Sequence, residues 1–139
     1  AGHIINVASA AAFMPSRVLP AYATSKSAVL MFSECLRAEL ADHRIGVSAI
    51  CPGIVNTAIA GNTRFVGVDE DEQSRRQESA QKLYQRRAFT PDRVAAAIVR
   101  AVETNQAVVP VSPEAVGMQW LGRFTPSLAR NLAQVELSP

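Results

Sequence analysis

Apolar residues along this chain fall into two rhythms. Ile4-Ile5-Asn6-Val7-Ala8 and Val47-Ser48-Ala49-Ile50-Cys51 are short, β-branched and almost continuously apolar, as strands covered on both faces require. Ala107-Val108-Val109-Pro110-Val111 forms a third run, and its proline, which has no amide donor, predicts an edge position. Between the first two runs, Val29, Leu36 and Leu40, joined by Leu30 and Phe32, follow the helical period. They predict a helix from Pro20, which suits a first turn, to about Asp42. Gly46 is expected to break that helix, and Pro52-Gly53 to turn the chain after the second strand. Ser9 to Leu19, small and irregular with Pro15, reads as a loop.

Residues 58–88 differ in character. Asp69-Glu70-Asp71-Glu72 opens a polar stretch that Arg86-Arg87 closes. Acids first and bases last complement a helix dipole, so an exposed helix is predicted there. Thr90-Pro91 starts another helix, with Val94, Ile98 and Val102 on one face. Two further helices are predicted around 114–123 and 127–135. Strands alternating with helices imply an α/β fold with a parallel sheet built from crossover units. Three strands are few for such a sheet, and the chain enters the first of them at once, with no initiator methionine and no signal peptide. The architecture therefore reads as part of a larger one.

Composition narrows the class. A length of 139 residues suits one domain, and 48% hydrophobic with 19% charged residues is ordinary for a globular protein. A net charge of +2 with both signs scattered leaves no nucleic-acid footprint, although the pI is near 8.8. No apolar run approaches the roughly 18 residues of a membrane span, so a soluble, cytoplasmic protein is expected. Cys35 and Cys51 lack CxxC spacing and sit in apolar surroundings. They are expected to be buried free thiols, as a reducing cytoplasm allows. His3 and His43 have no clustered partners, and no metal site is expected.

One short stretch departs from the chain's habits. Of fourteen basic residues twelve are arginine, yet Tyr22-Ala23-Thr24-Ser25-Lys26 places a lysine four positions after one of only two tyrosines. Four apart on a helix is the same face. A phenol, with an ordinary pKa of about 10, transfers protons poorly near neutral pH. A nearby ammonium and a helix N-terminus both favour the phenolate. Such a tyrosine can give a proton to a carbonyl oxygen or take one from an alcohol. Lysine suits this better than arginine, being a compact charge with donors to spare for a sugar hydroxyl. Ser9 follows the first strand directly, where catalytic groups gather in open α/β sheets. Its hydroxyl is placed to donate to the same carbonyl oxygen. Pro52-Gly53-Ile54-Val55-Asn56-Thr57 leaves the second strand at the same kind of end.

Asn6-Val7-Ala8-Ser9, Tyr22-Ala23-Thr24-Ser25-Lys26 and Pro52-Gly53-Ile54-Val55-Asn56-Thr57 together resemble the short-chain dehydrogenase/reductase family, in order and in the thirteen positions from Ser9 to Tyr22. The resemblance spans about residues 1–111. It implies the C-terminal portion of a Rossmann-type, doubly wound parallel sheet. It also implies an NAD- or NADP-dependent oxidoreductase interconverting an alcohol and a carbonyl. By that resemblance Tyr22 is the acid/base, Lys26 supports it and holds the nicotinamide ribose, and Ser9 polarises the substrate oxygen. Tyr22 and Lys26, with Pro52, Gly53, the backbone at Val55, and Thr57, would meet the cofactor. Residues 1–57 would carry the catalytic strand–loop–helix–strand, 58–88 the substrate loop or lid, 89–111 a helix and edge strand, and 112–139 a helical tail.

Phe32-Ser33-Glu34-Cys35-Leu36-Arg37-Ala38-Glu39-Leu40, Ile50-Cys51-Pro52-Gly53 and Val109-Pro110-Val111-Ser112-Pro113-Glu114-Ala115 resemble one branch of the family. That branch includes the reductase half of bifunctional proteins with an epoxide-hydrolase-like domain upstream. The family's pyrophosphate turn, TGxxxGxG in pattern, is absent: the glycines stand at 2, 46, 53, 61, 67, 117 and 122. The Asn-Ala-Gly segment and active-site asparagine that precede the family's serine are absent too. The nucleotide-binding half is thus expected to lie outside this chain. The choice between NAD and NADP would be made there. The rival reading is a catalytically silent scaffold or dimerisation piece.

Two weaker features complete the picture. Ala80, Leu83 and Tyr84 form a short apolar stripe suited to a lid or to light packing. The tail carries Trp120, Leu121, Phe124, Leu128, Leu132 and Val135 with Arg123 and Arg130. That pattern suits packing on its own domain, a partner subunit in a homo-oligomer, or peripheral membrane contact. An apolar tail also points to a small, hydrophobic or lipid-like substrate.

Overall fold

The computed structural model describes residues 1–57, 61–62, 64–86 and 89–134. Within them the chain forms two compact units, residues 54–92 making one and residues 1–53 with those from Arg93 onward the other.

The larger unit is built on three parallel strands in the order β1-β2-β3, where β1 is Gly2–Val7, β2 is Ile45–Cys51 and β3 is Val108–Pro110. The register pairs Ile4 with Val47 and Val7 with Ile50 across one seam, and Ile50 with Val109 across the other. Having a neighbour on each side explains why β2 is buried from Val47 to Cys51. β1 was expected to be buried as well, but it is only half-buried, since among the described residues it is paired along one edge. Pro110 does lie in an edge strand, where its missing donor costs no ladder bond.

Helix α1 (Pro20–Glu39) connects β1 to β2, with its proline in the first turn. It stops before Gly46 rather than at it. A short turn of 3-10 helix at Ala41–His43 ends with Arg44 in the left-handed region, φ 54°. Gly46 instead lies inside β2, where a Cβ would collide with the His3 ring and the Asn105 side chain. Arg37 ties the helix to the sheet by donating to the carbonyls of Val47 and Asn105, both at 2.7 Å.

Helices α3 (Pro91–Thr104), α4 (Pro113–Phe124) and α5 (Pro126–Leu132) follow the later predictions closely, although Val135 lies outside the described residues. Much of the core where helices meet the sheet is small: Ala8, Ala10, Ala23, Ala101, Ala115 and Ala129 are all buried. Small residues let backbones approach, and Gly122 of α4 shows how closely, since a Cβ there would strike the carbonyl oxygen of Phe13. In the smaller unit α2 (Glu70–Arg86) has three acids in its first turn and no buried residue, as its polar sequence predicts. Arg87 lies outside the described residues.

Candidate functional site

The site is assembled where β1 and β2 end. Beyond Val7 the ladder continues for two more bonds: the Ala8 amide donates to Ile50 O at 2.7 Å and the Ala10 amide to Pro52 O at 2.8 Å. Ser9 lies between them, so its backbone is held against the end of β2 from both sides. It is extended (φ −168°, ψ 158°) and caps a short 3-10 turn, Ala10–Phe13, with its Oγ accepting from the Ala11 amide at 3.2 Å. Accepting that bond leaves the hydroxyl proton available for donation.

Tyr22 stands in the first turn of α1 and is partly exposed. One turn on, Lys26 places its ammonium 5.8 Å from the Tyr22 ring centroid, within cation–π reach. The same Nζ donates to the carbonyl oxygen of Val7 at 3.2 Å. Lys26 therefore bridges α1 and the end of β1, two residues before Ser9. The first turns of α1 are pinned to the Ser9 side by Ser27, whose Oγ donates to Ala12 O at 3.1 Å. Neighbouring positions on α1, with Phe13, Met14 and Pro15, line a groove of about 430 Å³ on another face of the helix.

Pro52 and Gly53 continue from β2. Gly53 has no room for a side chain, because a Cβ would meet Ser112 Oγ and stand 2.5 Å from Glu114 Oε1. Ser112 is buried and caps α4 by accepting from the Ala115 amide at 3.2 Å. Val55 and Thr57 belong to the smaller unit, Val55 half-buried and Thr57 exposed. There the Asn56 amide between them donates to Phe89 O at 2.9 Å.

Three contacts escaped the sequence reading. The Val7 carbonyl as a seat for Lys26, and the Ser112 and Glu114 side chains over Gly53, depend on long-range pairing that periodicity does not report. Ser112-Pro113-Glu114 did carry a helix-start signature that marks the cap. The two thiols also diverge. Cys35 was expected to be buried but is exposed, because it lies on the outer side of α1. Cys51 is fully buried, and its thiol is pushed up to about 12, chiefly by desolvation, with an opposing contribution from the Ser9 backbone. It is a buried thiol at the end of β2.

Comparison with known proteins places this arrangement. Residues 1–65 match the family model described as short chain dehydrogenase, a span that contains every candidate position from Ser9 to Thr57. The protein named "Probable oxidoreductase EphD" of Mycobacterium tuberculosis is 42% identical over 138 residues, covering 98% of this chain. The chain is thus similar to the short-chain dehydrogenase family, through the family model over its first 65 residues and through this relative over nearly all of its length. It spans 23% of the length of that relative. Among solved structures, a short chain dehydrogenase from Burkholderia cenocepacia in complex with NADP superposes with a TM-score of 0.69 at 25% identity, over 99% of this chain and 48% of that one. A short chain dehydrogenase/reductase from Burkholderia phymatum in complex with NAD gives a TM-score of 0.73 at 22% identity, over 99% and 50%. The chain therefore accounts for about half the length of those folds.

Proposed function

We propose that the protein is an NAD- or NADP-dependent oxidoreductase that interconverts an alcohol and a carbonyl through Ser9, Tyr22 and Lys26. The observation that carries this reading is the position of Lys26, with its ammonium beside the Tyr22 ring and on the Val7 carbonyl at the end of β1. In the reducing direction Tyr22 gives its phenolic proton to the carbonyl oxygen, and in the oxidising direction it takes the alcohol proton. Ser9 donates a hydrogen bond to the same oxygen and disperses charge as it develops. Lys26 supplies a positive charge beside the ring that stabilises the negative charge developing on the phenolic oxygen during transfer.

The donor set suits a nicotinamide ribose as well. An ammonium has three donors, and the bond to Val7 occupies one, leaving others for sugar hydroxyls. Lys26 would hold that ribose, with Pro52, Gly53, the Val55 backbone and Thr57 nearby in the chain. When bound, NAD or NADP supplies or accepts the hydride. The solved relatives in complex with NADP and with NAD support this assignment. The substrate is a small, hydrophobic molecule, the 58–88 segment helps to bind it, and the working protein is a homo-oligomer.

Tyr22→Phe tests the reading. The substitution removes the transferable proton and little else, so kcat should fall by about 100-fold or more while cofactor affinity stays nearly unchanged. Retention of more than about a tenth of the wild-type kcat would overturn the role of Tyr22, since general acid–base catalysis contributes more than that.

A further inference from the structure

Helix α4 begins against the turn that leaves β2. The Val111 amide donates to the Cys51 carbonyl at 3.1 Å, which brings the residues that follow it alongside Pro52 and Gly53. Ser112, buried and extended, caps the helix through its bond from the Ala115 amide, and Pro113 fixes the first turn. Ala115 behind them is fully buried. The start of α4 is thus rigid, and Glu114 is the acid it carries. An acid in a first turn is favoured by the helix dipole wherever its side chain points, and water would serve it well. Glu114 is instead half-buried and lies over Gly53. A Cβ on that glycine would stand 2.5 Å from Glu114 Oε1 and 2.9 Å from its Cδ. The carboxylate fills the space that a side chain at position 53 would need.

We propose that Glu114 is a positioning residue, holding the Pro52-Gly53 turn in the form that receives the cofactor. The inference rests on the NAD- or NADP-dependent function proposed above, which gives this turn to the cofactor. Both residues belong to the larger unit, so the contact is internal to it. Backbone pairing carries the chain as far as Pro52, whose carbonyl accepts from the Ala10 amide at 2.8 Å. Gly53 follows directly, and a glycine loses more conformational freedom on being fixed than any other residue. A side chain packed on it from a capped helix narrows the conformations open to the turn, so that binding has less ordering left to do. Glu114 touches Gly53 and not the reacting atoms. Its loss should therefore show in cofactor affinity rather than in turnover.

Direct titration of the intact protein with NAD and with NADP, alongside hydrogen exchange of the cofactor-free form, tests this. Glu114→Ala should weaken binding of the preferred nucleotide by about tenfold or more, with kcat at saturating cofactor near wild type. Exchange of the peptide containing Gly53 should quicken in the same variant while the β2 peptides keep their protection. Glu114→Gln keeps the length and shape of the side chain without its charge, and should stay near wild type in both measurements. Glu114→Asp keeps the charge but withdraws it by one methylene, and should weaken binding as the alanine variant does. It decides the matter if the alanine variant misfolds. Unchanged affinity in the alanine and aspartate variants overturns the proposal. So does an equal loss in Glu114→Gln, which would make the charge at the helix start, and not the contact, responsible. Failure of the wild type to bind either nucleotide overturns the proposed function and the cofactor role of Glu114 with it. The exchange rates then report separately whether Glu114 holds Gly53.

Discussion

Strand β2 and helix α2 show two ways in which one chain can be structured. β2 is seven residues long and its last five are buried, paired on both sides. α2 is seventeen residues long and buries none. The first is fixed by desolvation and by two ladders of backbone bonds. The second is a solvated helix, held by its acidic start and by local side-chain pairs. Candidate site residues follow this division. Ser9, Pro52 and Gly53 are linked by backbone bonds or direct continuity to β2, while Val55 and Thr57 lead into the unit that contains α2. Proton transfer requires atoms held to within fractions of an ångström, which the first environment supplies.

The sharpest way to break this comparison is to remove side chain from each region. Ile50 is fully buried between its neighbours, so Ile50→Ala should cost about 2–5 kcal/mol from lost transfer energy and the cavity left behind. Leu83 of α2 is 47% exposed, and Leu83→Ala should cost under about 1 kcal/mol. Denaturant unfolding of the two variants measures both. Equal losses would mean that α2 is as firmly packed as β2 and that the contrast is false.

A smaller effect should appear with pH. The Cys51 thiol is held protonated by burial, its pKa raised from an ordinary 9.0 to about 12. Below pH 9 the thiol is protonated both in the fold and in the unfolded chain, and the stabilising difference is complete. As pH rises from about 9 toward 12 the unfolded chain releases the proton first, so the fold loses stability across that window, on the order of a few kcal/mol in all. Cys51→Ala should remove this part of the slope. Comparing unfolding midpoints of wild type and variant at mildly and strongly alkaline pH isolates it from other titrations. Matching slopes would show that Cys51 reaches water more readily than its burial in β2 implies.

Most of the frame was legible from the residues. The β-branched runs at Ile4 and Val47, the helix from Pro20 and the acidic opening of α2 each express a local preference that tertiary structure kept. Tyr22 and Lys26 were legible for the same reason, since helical spacing alone puts them on one face. What escaped was set by distant partners. Arg44 adopts the left-handed conformation although a glycine stands two positions later, because Gly46 is needed in β2, where His3 and Asn105 leave no room. Cys35 is apolar in neighbourhood along the sequence, yet its place on α1 turns it outward. Burial of a single residue depends on which side of an element meets the sheet, and a short apolar run does not encode that by itself.

The weakest link in the comparison sets the smallest expected effect. Arg76 and Glu72 pair across one turn of α2, with Arg76 Nε donating to Glu72 Oε1 at 3.0 Å. The side chains are 49% and 41% exposed, so water screens the attraction, and holding two long side chains in one geometry offsets much of the rest. A double-mutant cycle with Glu72→Ala and Arg76→Ala should give a coupling of about 0.2–0.5 kcal/mol that fades in high salt. Arg76→Ala should nonetheless be the more damaging single change, because the Arg76 guanidinium also lies over the Phe65 ring, 5.6 Å from its centroid. Losing that contact adds about 0.5–1 kcal/mol at an exposed site. A coupling well above 1 kcal/mol that resists salt would mean that this pair is shielded from water. The contrast between a solvated α2 and a buried β2 would then narrow.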